Sequence, residues 1–211
     1  MLLDEIKEYC EGRRIILVGN SSGILNTESG IFIDSYDIVV RMNRGYFHRK
    51  HHVYSSKIGS KTNILSLGIK SATMSANIIQ SNTVDYILSP IMYSEGLGYS
   101  NAYHIEDEVY QTLKAELGGF KPSTGISTYN FFNRFVNFER LDLIGFDFFK
   151  SSVRSRNQLG HCYVQDHHGV KEFKFFERSK DPEKTQLHNT PAPSTVPINN
   201  IPNYTIKNIK R

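Results

Sequence analysis

A chain of 211 residues with 39% hydrophobic and 22% charged side chains is long enough for one globular domain and too apolar to be disordered as a whole. The 25 Lys and Arg against 21 Asp and Glu leave a formal charge of +4, too small by itself to argue for a nucleic-acid partner. No apolar run approaches the roughly 18–20 residues of a membrane span, and the N-terminal MLLDEIKEYCEGRR lacks the apolar stretch of a signal peptide. Cys10 and Cys162 are the only cysteines and form no CxxC, so neither a disulfide framework nor a cysteine-rich zinc site is expected. A reduced, cytoplasmic setting follows as the expectation.

Residues 2–10 carry Leu2, Leu3, Ile6 and Cys10 at helical spacing, which predicts a short amphipathic helix. The run 13–18 (RRIILV) predicts a buried strand that ends in the turn Gly19-Asn20-Ser21-Ser22-Gly23. Further strands are expected at 36–42 (YDIVVRM), 62–67 (TNILSL), 84–88 (VDYIL) and 141–144 (LDLI). Helices are expected at 105–117, which has early acids and a Gly-Gly stop, at 126–138 behind Pro122-Ser123-Thr124-Gly125, and at 170–178. Strands alternating with helices imply an α/β fold: a Rossmann-like, mostly parallel sheet flanked by helices. No internal repeat is present. Five of the seven prolines lie at 182, 191, 193, 197 and 202, so residues 1–180 read as one domain. Residues 181–211 read as an extended or disordered arm, or as one lying across the surface through Ile198, Ile201, Tyr204 and Ile206.

In an open α/β sheet, ligands gather beyond the carboxyl ends of the strands, so each exit is a candidate site. Asn20 and Ser21 offer short polar arms on a glycine-flanked turn, although a plain strand-ending turn explains them as well. Asn43, closing Arg41-Met42-Asn43, suits a ribose or a base edge and equally suits an Asx turn. Ser123, Thr124 and Gly125 open a helix whose N-terminus attracts a phosphate, and they also make an ordinary N-cap. Asp147 follows Gly145-Phe146 at another exit, with its role open. The segment 160–168 (GHCYVQDHH), followed by Glu172, gathers His161, Tyr163, His167 and His168, and histidine is the side chain best suited to move a proton near neutral pH. It matches no HExxH pattern, and no metal site is expected. From Arg41 to Lys61 there are six Lys or Arg and no acid, which is either a solvated basic face or an anion funnel.

Taken in order, these elements resemble the sialyltransferases of glycosyltransferase family 29. The large motif of that family, V-G-N-S-G ending in D-x-V-x-R-x-N, is similar to VGNSSG at 18–23 and DIVVRMN at 37–43. Its small motif matches PSTG at 122–125 and GF at 145–146. Its very small motif, His-x4-Glu, matches His167 to Glu172, and His161-Cys162-Tyr163 stands where its third motif precedes. The matching pieces span residues 15–177. The animal members carry an anchor and stem, and neither is expected here. Ile15 and Phe138 occupy the positions that those members join by a disulfide. The third and very small motifs also lie closer together than usual. A compact microbial or viral member is the form this resemblance implies, with a variant GT-A-type fold.

The resemblance implies an inverting transfer of sialic acid from a CMP-sialic acid donor to a glycan hydroxyl. His167 would be the general base and Glu172 the residue that orients it or raises its basicity, or that serves structure alone. Only the spacing to Glu172 selects His167 over His168. His161 or Tyr163 would donate to the departing phosphate. Asn20, Ser21, Asn43, Ser123, Thr124 and Gly125 would hold the nucleotide. No Asp-x-Asp is present, so a metal-independent reaction with no cofactor beyond the donor is the expectation. Two alternatives stay open: a CMP-activated sugar acid such as CMP-Kdo as donor, or a non-catalytic nucleotide- or anion-binding module. No nucleic-acid partner is expected. Lys207, Lys210 and Arg211 offer at most weak peripheral contact with an anionic membrane.

Overall fold

Apolar runs and helical stretches alternate along the chain, and the fold follows that alternation. The structure, a computed structural model, describes residues 2–43, 54–68, 84–89, 100–149 and 167–190. Helix α1 (Leu2–Cys10) leads into β1 (Arg14–Val18), a 3-10 turn at Ser22–Asn26, α2 (Gly30–Asp34) and β2 (Ile38–Met42). There follow α3 (Ser55–Ile58), β3 (Ile64–Ser66), β4 (Tyr86–Ser89), β5 (Ala102–His104) and α4 (Asp107–Glu116). The chain continues through α5 (Thr124–Phe135), β6 (Arg140–Ile144), α6 (Gly169–Ser179) and β7 (Thr185–His188).

The strands form one seven-stranded sheet in the order β5-β4-β3-β2-β1-β6-β7, and every described pair is parallel. A parallel sheet needs cover on both faces, and the period of two sorts the apolar side chains accordingly. Ile15 and Leu17 of β1 pack with α1, α4, α5 and α6 through Ile6, Leu113, Phe132 and Phe176. Ile16 and Val18 face the other way, onto Ile24, Ile33 and Ile58 of the 3-10 turn, α2 and α3. Strand β1 is central: Ile15 lies opposite Ile38 of β2 on one side and Leu141 of β6 on the other. From β1 the chain steps outward through β2 to β5, then returns to place β6 and β7 on the opposite side. This reversal makes the β1/β6 boundary the topological switch point, where such sheets open a crevice.

The expected five strands and four longer helices are present, with ends shifted by up to three residues. The expected helix 126–138 begins earlier, at Thr124, because Ser123 caps it, and Val136 already has extended backbone. Three sequence expectations need correction. The expected boundary at 180/181 falls inside the sheet, since Thr185–His188 forms edge strand β7. The link is lateral as well as by backbone: His188 Nε2 lies 2.8 Å from the fully buried Asp142 of β6, which also accepts from the Tyr36 hydroxyl and from Arg140. Residues 191–211 lie outside the described residues. Three-residue β5 was not anticipated. Arg41 does not belong to a solvated basic face. It is buried, with Nη2 donating to Ile58 O (2.7 Å) and Nε to Lys61 O and Thr62 Oγ1 (3.0 Å each), so its charge fastens the β2 exit to the segment entering β3. Of the remaining basic run, residues 44–53 lie outside the described residues. Among the described residues, no helix is long and apolar enough to cross a membrane.

Candidate active site

The crevice at the switch point is a cleft open to solvent. It is walled by Asn20 and Ser21 beyond β1, Asn43 beyond β2, Ser123 to Gly125 at the start of α5, Gly145 to Phe149 beyond β6, and His167 with Glu172 at the start of α6. Eight of the ten residues nominated from sequence therefore share one wall-to-wall space. His161 and Tyr163 lie outside the described residues.

Close approach of two strand exits builds the floor. Gly19 N donates to Ile144 O (2.8 Å) and Ser21 N to Gly145 O (3.0 Å), so the loop after β1 continues onto the loop after β6. A Cβ on Gly19 would stand 2.3 Å from Gly145 O, a backbone atom that cannot turn aside, and only glycine fits there. Asn20 Nδ2 donates to Met42 O (3.0 Å), which fixes the β2 exit beside the β1 exit. Ser21 Oγ donates to Asp147 Oδ2 (3.1 Å) and accepts from Gly23 N (3.3 Å).

Asn43, nominated for the nucleotide, links three elements of the cleft. Its backbone has φ 48°, a left-handed conformation in which asparagine is enriched. That turn aims the side-chain amide both ways: Nδ2 donates to Thr124 Oγ1 (3.1 Å), and Oδ1 accepts from Gly68 N (2.7 Å). One side chain thus joins the exits of β2 and β3 to the N-terminus of α5. There Ser123 caps the helix by accepting from Ile126 N (3.2 Å). Among the described residues, the N–H groups of Thr124 and Gly125 have no acceptor. Two donors and the positive end of a twelve-residue helix therefore face the cleft, a ready arrangement for an anion.

The opposite wall holds the residues nominated for proton transfer. His167 Nδ1 lies 2.8 Å from Lys121 O, and a carbonyl can only accept, so Nδ1 carries the hydrogen and Nε2 is the basic nitrogen. The ring also stacks on Phe149, with centroids 5.4 Å apart and planes 3° from parallel. His168 is placed differently: its ring meets Phe120 edge-on at 4.8 Å, and it does not line the cleft. Of the two roles left open for Glu172, orienting the imidazole or serving structure, the bonds described belong to the second. Glu172 is buried, and its two oxygens accept from Ser123 N and Ser123 Oγ, both at 2.8 Å, which clamps α6 to the cap of α5. Burial pushes its carboxyl up to about 7, against the opposing pull of the two Ser123 bonds. Sequence reading left Asp147 without a role and did not single out Phe149 or the Lys121 carbonyl. The position of Asp147 directly after Gly145-Phe146 was the one local signal, whereas a ring stack or a backbone acceptor leaves none. Among the described residues, no three His, Cys, Asp or Glu side chains gather closely enough to hold a metal ion.

Comparison with known proteins agrees with this geometry. Residues 5–97 match the model of glycosyltransferase family 29 (sialyltransferase). No curated protein matches the chain. Among solved structures, a mammalian sialyltransferase in complex with Gal-beta-1-3GalNAc-ortho-nitrophenol aligns over 84% of this chain and 69% of its own, with TM-score 0.56 and 18% identity. The sialyltransferase CstII from Campylobacter jejuni, in complex with the substrate analogue cytidine-5'-monophosphate, aligns over 84% of this chain and 79% of its own, with TM-score 0.55 and 15% identity. A second mammalian sialyltransferase structure covers 89% of this chain and 79% of its own, with TM-score 0.57 and 17% identity. At such identities the structures speak for the fold, and the similarity to glycosyltransferase family 29 (sialyltransferase) extends over residues 5–97 of the 211.

Proposed function

We propose that the chain transfers sialic acid from CMP-sialic acid to a hydroxyl of a glycan, with inversion and without a metal ion, and that His167 is the general base. The observation that carries this reading is a single cleft with a phosphate-suited helix end on one wall and an imidazole whose basic nitrogen is Nε2 on the other. The chemistry needs those two things. The bond from the anomeric carbon to the CMP phosphate breaks with its electron pair on the phosphate, and the Thr124 and Gly125 N–H groups receive that charge. The acceptor hydroxyl attacks the opposite face of the sugar, which has oxocarbenium character, and its proton passes to Nε2 of His167. The role proposed for Glu172 is positioning: it holds the Ser123 cap and so sets the helix end that meets the phosphate.

Incubation with CMP-sialic acid and a panel of galactosides, read by product mass, tests the reaction. The expected result is an acceptor heavier by one sialyl residue, formed equally well in EDTA. Product from CMP-Kdo alone would reassign the donor, and binding of CMP without turnover would leave a nucleotide-binding module.

Asn43→Ala should weaken the donor side specifically, because the two bonds it removes align the α5 N-terminus with the β2 exit. The expected result is a rise of about tenfold in the KM for donor, the equivalent of one hydrogen-bonded contact, with the KM for acceptor nearly constant. Steady-state kinetics with each substrate varied in turn checks it.

A further inference from the structure

We propose that Phe149 is a positioning residue for His167, and that the segment Asp147-Phe148-Phe149 exists to press its ring against the imidazole. The inference rests on the reading of His167 as general base. Phe148 and Phe149 have φ 52° and 66°, two consecutive left-handed residues that are neither glycine nor asparagine. Bulky L-residues adopt that conformation only where their surroundings over-determine it, and such segments concentrate at functional sites.

Three anchors over-determine this one. Asp147 Oδ1 accepts from Phe149 N (3.1 Å), while its Oδ2 accepts from Ser21 Oγ (3.1 Å), so one carboxylate ties the turn to the loop after β1. The Phe148 ring packs on Phe173 and Phe176 of α6, with centroids at 5.2 Å and 6.1 Å. The Phe148 carbonyl enters the space above Gly169, where a Cβ would stand 1.8 Å from its oxygen, so no other residue fits at the start of α6. What this holds in place is the Phe149 face, parallel to His167 within 3°. The Lys121 carbonyl lies along Nδ1, and the flat Phe149 face restrains the tilt of the ring on one side. Both contacts bear on where Nε2 points, and proton abstraction demands that direction closely.

Kinetics of Phe149→Leu, alone and combined with His167→Ala, test the proposal. Phe149→Leu is expected to lower kcat about tenfold, as a small misplacement of a catalytic group does, with the donor KM unchanged. Phe149→Tyr, which keeps the flat face, is expected to restore most of the rate. Phe149→Met, which keeps the bulk without the face, is expected to behave as leucine and stands in should the leucine variant fail to fold. In the His167→Ala background, Phe149→Leu is expected to have no further effect, since the group that it positions is gone. An equal loss in both backgrounds, or an undiminished kcat in Phe149→Leu, overturns the proposal and leaves the base assignment standing. Full activity of His167→Ala overturns the base assignment and this proposal together.

Discussion

His167→Ala is expected to lower the rate of sialyl transfer by about 10²–10⁴, the usual cost of a missing general base, while CMP still binds. The two halves of that expectation come from different walls of the cleft. The residues proposed to hold the nucleotide are Asn20, Ser21, Asn43 and the N-terminus of α5, and none of the bonds described for them involves the imidazole. The neighbouring histidine is the internal control. His168 rests edge-on against Phe120 and does not line the cleft, so His168→Ala should keep most of the activity. Transfer rates of the two variants under donor saturation, with CMP affinity measured by calorimetry, check it. Loss of activity in His168→Ala with retention in His167→Ala would reverse the assignment.

The largest expected effect on stability belongs to Glu172. Its carboxyl is raised from 4.5 to about 7 by burial, so the folded chain retains a proton over a range in which the unfolded chain has lost it. The sign follows from linkage: the stability associated with the neutral carboxyl is complete below about pH 4.5, is lost as pH rises to about 7, and is flat above. Converted at 1.36 kcal/mol per pKa unit, the loss is about 3 kcal/mol. Glu172→Gln removes the titration while keeping a group that accepts from Ser123 N, and the Ser123 hydroxyl can turn to accept from the new amide. The variant should therefore gain about 3 kcal/mol relative to the parent between pH 4.5 and pH 7.5. Denaturant unfolding of both proteins at the two pH values measures the difference directly. A gap that stays constant with pH would show that Glu172 is ionised throughout. The same titration bears on donor binding. A phosphate at the α5 N-terminus would sit near this carboxyl and disfavour its charged form, so the neutral clamp is the one compatible with an anionic ligand.

Much of the fold is legible in the sequence because its signals are local. Fully buried parallel strands read as apolar runs, and RIILV and IVVRM do so plainly. The elements missed are those whose burial is partial. Strand β7 is TQLH, an edge strand with only Thr185 buried, and β5 is the three-residue AYH with no residue fully inside. Neither presents a period of two long enough to read, and the prolines that follow β7 drew the expected domain boundary too early. Arg41 misled for a related reason. A count of charges along the chain cannot distinguish a solvated guanidinium from one buried among carbonyls.

The candidate site divides along the same line. Which residues to nominate for the chemistry was decided by the sequence alone: short polar side chains at the strand exits, a capped helix start, and a histidine five residues before a glutamate. Which partner each one meets was decided only by the tertiary structure. Glu172 grips Ser123 across 49 residues of chain, and His167 takes its hydrogen-bond partner, the Lys121 carbonyl, from 46 residues away. Those distances are closed by the order of strands around β1 and by how α5 and α6 cross it. A sequence pattern reports a residue's preference for helix, strand or turn through neighbours three or four places off. It carries no record of which distant acceptor, ring or carbonyl the packed layers will bring within 3 Å.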